Sequence, residues 1–208
     1  MKTSKERALE ELADRPISQE VLLFIHGIKP ALTISTSSFQ AQVVAKYYPT
    51  ITLVGRNRFL SFQNGNDMLA FISDNMVVRY DERSGLTVMD FKDNLKLGVA
   101  LGFPPKACKY FMENTKLIVQ ATKQWREENP TVEKVNAIWV RKRSKELGAV
   151  EEVMVNYHGI SFGTHRETVK EEIKWMKENR PVPKELQTSI TVSYKDEAGE
   201  RVPLILEG

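Results

Sequence analysis

Three histidines, His26, His158 and His165, and one cysteine, Cys108, are the side chains of this sequence with the intrinsic reactivity for metal binding, base catalysis or nucleophilic attack. None sits at the spacing of a known metal motif, and the pair His158 and His165 supplies too few ligands for a zinc centre. His26 closes an apolar run just before Gly27, a position where an imidazole meets the free carbonyls of a helix end. His158 and His165 bracket Gly159-Ile-Ser161-Phe-Gly163, whose letters match the Gly-x-Ser-x-Gly of a nucleophile elbow. That chemistry needs a strand before the serine, a helix straight after it, and an acid and a histidine further along the chain. His165 is too near to be the distant base and no parallel α/β repeat surrounds the motif, so a serine hydrolase using Ser161 stands as an alternative only. Cys108 lies beside Ala107 and near Phe111 on the apolar side of a helical pattern, where a buried thiol is inert. No catalytic residue, no metal and no cofactor is therefore expected.

Anion recognition is the better supported chemistry. Thr33-Ile-Ser35-Thr-Ser37-Ser38 carries a strand pattern into a helix start, with hydroxyls and backbone N–H groups close together. Lys29 upstream and Arg56 and Arg58 downstream would add a lysine and a guanidinium fork if the two strand ends lie side by side. Lys29, Thr33, Ser35, Ser37, Ser38, Arg56 and Arg58 are the expected ligand-binding set, for a small anion such as a nucleotide. A weaker candidate is the loop 159–163 leading into Thr164 and Arg166 at a helix start. Neither a Walker pattern nor Gly-x-Gly-x-x-Gly is present. The densest basic cluster, Arg141-Lys-Arg-Ser-Lys145 beside Trp139, is diluted by Glu146, Glu151 and Glu152 and reads as a solvated strand end rather than a nucleic-acid surface.

The elements that must hold these residues are legible from pattern. Thr3-Ser-Lys-Glu6, Ser37-Ser-Phe-Gln40 and Thr164-His-Arg-Glu167 are spaced as capping boxes, and Ser18 and Asp90 as single caps. Helices are predicted from the box at Thr3 until Pro16 breaks the chain, over 20–26, from the box at Ser37 to about 48, and over 68–72, 91–101, 105–129 and 165–178. Strands are predicted over 31–35, 50–54, 59–62, 76–80, 86–89, 136–141, 153–157, 189–194 and 202–206, with Pro203 marking a sheet edge. At the centre stands Leu101-Gly102-Phe103-Pro104-Pro105, where glycine closes one helix and proline opens the next. Leu101, Phe103 and Phe111 are expected to shelter a common interior there. The fold class that follows is α+β, helices packed on a mostly antiparallel sheet, in a single domain over 1–208 with one candidate sub-boundary at 127–134.

Composition narrows the function classes. Thirty Lys and Arg against 27 Asp and Glu leave a net charge of only +3, far from the dense basic stripe of a nucleic-acid binder. A lone cysteine excludes an internal disulfide and fits a reducing compartment. The charged N-terminus lacks the apolar core of a secretory signal, and no stretch approaches the length of a membrane span, so a cytoplasmic protein is expected.

Two passages, Gly27-Ile-Lys-Pro-Ala31 and Leu97-Gly-Val-Ala-Leu-Gly-Phe-Pro-Pro-Lys-Ala107, together resemble an uncharacterised family of small Firmicutes proteins with a Gly-apolar-Lys-Pro turn and a Leu-Gly-Tyr-Pro corner. Phe103 stands where that family usually has tyrosine. The resemblance implies a shared helical elbow and a bacterial or phage origin, and carries no activity. The sequence thus leads to a binding or regulatory protein for an anionic ligand. The non-enzymatic alternative is a phage- or mobile-element-encoded factor that binds a host protein through aromatics such as Trp175. The oligomeric state is not legible.

Overall fold

A computed structural model describes residues 2–81, 85–196 and 200–205. Among them, α1 (Ser4–Leu12) starts at the expected capping box on Thr3, and α2 (Gln19–Ile25) is capped by Ser18. β1 (Ala31–Ser35), α3 (Phe39–Tyr47), β2 (Thr50–Leu53) and β3 (Arg58–Phe62) follow, the three strands forming an antiparallel sheet in the order β1-β3-β2. Then come α4 (Gly65–Asn75) and the hairpin of β4 (Met76–Asp81) with β5 (Leu86–Phe91), tied to the first sheet where Met89 N–H donates to the carbonyl of Val54. The turn of that hairpin lies outside the described residues.

The elbow forms as the glycine and prolines dictate. α5 (Asn94–Ala100) runs to Gly102, whose φ of 87° is a left-handed value that other residues rarely adopt, and α6 (Pro105–Glu128) opens on proline. A side chain at Gly102 would strike the ring of Pro30, so the corner lies against the turn that precedes β1. Lys29 of that turn sits over the Phe103 ring at 4.9 Å. Among the described residues, Phe103 packs against two of the three apolar clusters. Leu101 is buried, but Phe111, expected beside it, is 52% exposed. The turn of α6 carrying Ala107 and Cys108 faces inward, and Phe111 falls at its edge.

The last third holds α7 (Ala137–Glu146), β6 (Glu152–Tyr157), β7 (Ile160–His165), α8 (Val169–Asn179), β8 (Ile190–Lys195) and β9 (Arg201–Pro203). Its antiparallel sheet has the order β7-β6-β8-β9, which puts Pro203 on an edge strand where its missing N–H breaks no ladder. Strict alternation along β6 buries Val153, Val155 and Tyr157 against Ile173 and Met176 of α8 and Leu23 of α2. Glu152, Met154 and Asn156 therefore point to the other face, which α6 crosses.

Four expectations are corrected. The strand predicted over 136–141 is α7: Asn136 accepts from the N–H groups of Ile138 and Trp139, and Trp139 stacks on Trp125 of α6 at 5.2 Å, so a cap and a helix partner override the β-branched run. The loop predicted over 159–163 is mostly β7, because His158 and Gly159, at φ 51° and 98°, close a two-residue hairpin. Thr164 is then a strand residue, and the N-cap of α8 falls four residues on, at Thr168, with the helix beginning at Val169. Asp90 lies in β5, and Asp93 caps α5 instead.

Candidate functional site

The expected anion set is divided. Thr33 and Ser35 lie on β1 and Arg58 lies opposite Ser35 on β3. The Arg58 guanidinium donates to the carbonyl of Thr33 at 3.2 Å and to its hydroxyl at 3.4 Å. Ser35 and Ser37 bond each other at 2.9 Å, and Thr36 donates to the carbonyl of Asn57. Ser38 occupies the N-cap of α3 without a side-chain bond. Arg56 leaves this turn to pair with Asp90 of β5. Lys29 leaves it in the opposite direction: only 1% exposed, its ammonium pairs with Glu20 beneath Phe103. Burial lowers the pKa of Lys29, and the Glu20 carboxylate opposes that shift.

The nucleophile-elbow residues also separate. Ser161 is an exposed residue inside β7, with no helix straight after it. His158, in the hairpin turn, stacks on Tyr157 and its Nδ1 meets the carbonyl of Thr188 at 2.8 Å. His165, seven residues on and about 20 Å away along the strand, stacks on Tyr110 of α6. His26 is the C-cap of α2, and burial lowers its pKa. Among the described residues no group of three or more His, Cys, Asp or Glu is arranged to hold a metal ion. Trp175, expected on the surface, is half-buried against the core under Arg180.

A more open constellation lies on the outer face of the last sheet. In-register pairing puts Met154 opposite Ser193 and Lys195 opposite Arg201, so these side chains rise on the same side as Glu152. α6 and α7 stand over them and leave a cavity of about 320 Å³. Arg141 and Lys145, one helical turn apart on α7, point into it beside Lys195 and Arg201. Arg141 is fixed by donating to the carbonyls of Asp196 and Lys195, both at 2.5 Å. Among the described residues no carboxylate comes within ion-pair distance of Lys145, Lys195 or Arg201. At the wall stands Asn114 of α6, 9% exposed, whose Oδ1 is buried with no hydrogen-bond partner while its amide group reaches the carbonyl of Val150 at 3.5 Å. A buried acceptor left unmet costs about 1–3 kcal/mol. Sequence reasoning missed this site because a strand at 136–141 would have thrown Arg141 and Lys145 out of line. Read as a helix, their spacing of four places both on one face.

No helix among the described residues is long and apolar enough to cross a membrane. Set against known protein families, curated proteins and solved structures, the chain matches none of them.

Proposed function

We propose that this protein is a non-catalytic binding protein for a small anionic ligand such as a nucleotide, held in the cleft between α6, α7, β8 and β9 rather than at the turn 33–38. The observation that carries the reading is the unmet acceptor of Asn114 beside four converging cations. A simple anion would meet the cations and leave Asn114 unanswered. A nucleotide has both a phosphate for Arg141, Lys145, Lys195 and Arg201 and N–H or O–H donors for the Asn114 oxygen. Titration calorimetry with ADP tests it: saturable binding is expected, weakened roughly tenfold or more by Lys145→Ala with Arg201→Ala and by added salt. Absence of binding, or binding indifferent to those two substitutions, rejects the reading. Loss of binding on Arg56→Ala with Arg58→Ala alone would return the site to the turn 33–38.

A further inference from the structure

On the other side of α6, the same sheet face holds a second cavity of about 430 Å³, bounded by α5, α6 and β7. Its walls are mostly apolar: Leu97 and Leu101 from α5 and the corner, Phe103, Phe111 at the mouth, Met154 from the sheet face, and Phe162 of the edge strand β7, where its register with Val155 turns it toward the core. Among the described residues one carboxylate faces this space. Glu152 is laid sideways across β7, where its Oε1 occupies the position that a side chain at residue 163 would take. Gly163 lies in mid-strand without a positive φ, so the missing Cβ here provides room for a carboxylate rather than backbone freedom. Among the described residues Glu152 accepts no hydrogen bond and no cation stands within ion-pair distance of it. Burial raises its pKa, with only Lys195 and Arg201 pulling the other way. Behind the wall, Glu172, 2% exposed with Oε1 unpartnered, adds to the negative potential felt at Cys108.

We infer that this cavity binds a small apolar cation, an aryl- or alkylamine, with its hydrocarbon part among Leu97, Phe103, Phe111 and Phe162 and its ammonium on the Glu152 carboxylate. The size fits a drug-sized or smaller molecule, and an ammonium supplies the counter-charge that the carboxylate lacks inside an apolar wall. The site lies across α6 from the anion cleft and shares Glu152 and Met154 with it.

The test uses the full chain and two probes of like shape, 1-naphthylmethylamine and 1-naphthalenemethanol, followed by calorimetry. The amine is expected to bind saturably at one site and about tenfold or more tighter than the alcohol. Glu152→Gln is expected to abolish that preference. Gly163→Ala, which forces the carboxylate off β7, is expected to reduce it. Ser161→Trp, an exposed strand position at the cavity wall, is expected to block both probes, while Lys145→Ala, on the far side of α6, leaves amine binding intact. No saturable binding of the amine, equal binding of amine and alcohol, or a preference that survives Glu152→Gln overturns the inference. ADP binding is untouched by that failure, so the two readings are separable.

Discussion

The two sides of α6 present one sheet face in opposite chemistry. Toward α7 and β9 the face is lined by Arg141, Lys145, Lys195 and Arg201, with Glu151 and Glu152 at the border, around the unmet oxygen of Asn114. Toward α5 and β7 it is lined by leucine, phenylalanine and methionine around one carboxylate and the thiol of Cys108. The two sides share the strand β6, whose Glu152 and Met154 border both cavities, and then draw on β8 and β9 on one side and β7 on the other. The difference comes from the helix turns above: Asn114 and Ile118 face one side, Cys108, Phe111 and Met112 the other. What distinguishes either cavity from ordinary surface is valence left over inside the protein. By that measure the turn 33–38, although rich in hydroxyls and arginine, is largely closed, since Ser35, Thr36, Ser37, Arg56 and Arg58 find partners within the chain and Ser38 alone of the expected turn residues makes no side-chain bond.

The largest expected difference between the sides is in the reactivity of Cys108. Burial, with a smaller push from Glu172, raises its thiol to about 11, against an ordinary value of 9.0. Ionisation of an acid delayed in this way moves to higher pH, so at neutral pH the thiolate is about 100-fold scarcer than in an exposed cysteine. Alkylation of the native protein by iodoacetamide should climb about tenfold per pH unit and level off only near pH 11. A plateau near pH 9 would show that the apolar side is open to water. Saturating 1-naphthylmethylamine should slow the reaction further, because Cys108 is part of that cavity's wall.

On the polar side, Asn114→Leu should separate stability from binding. The substitution removes a buried acceptor that nothing satisfies and gives up only the long contact to Val150. Urea denaturation is expected to show a gain of about 1 kcal/mol, while calorimetry shows ADP binding weakened about tenfold or more. If stability and affinity fall together, Asn114 is a structural tie and the cleft is no more open than the turn 33–38.

Most of the frame was legible in the sequence because it is written in local rules. Thr3 and Ser18 announce helix starts by type and spacing, Gly102 with Pro105 fixes the elbow, and Pro203 marks the edge strand. The α+β class and the antiparallel pairing followed from these. What was not legible is what depends on partners distant in sequence. The run 137–140 is β-branched and aromatic, yet Trp125 on α6 offers Trp139 a stacking surface that only a helix can reach. Cation positions fail for the same reason: Lys29 lies among residues that bury it against Glu20, and Arg56 meets an aspartate 34 positions later. The cleft itself needs α7 to be a helix and β8 to lie beside β6, and neither condition can be read from the neighbourhood of Arg141.

The smallest effect is expected where sequence reasoning looked first. Arg56 is 45% exposed and its partner Asp90 27%, so their pair contributes little beyond what water and salt allow. Arg58 loses two bonds to Thr33, both at or above 3.2 Å, and both at an exposed strand end. Arg56→Ala with Arg58→Ala should therefore shift the urea midpoint by less than the equivalent of about 1 kcal/mol and leave ADP affinity within about twofold. A larger loss of stability would mean that Arg56, whose guanidinium sits 5.3 Å from the Phe91 ring, clamps the hairpin of β4 and β5 to the first sheet. A loss of affinity with no change in stability would reverse the assignment, since a turn whose arginines are already partnered would then be the one that recruits the anion.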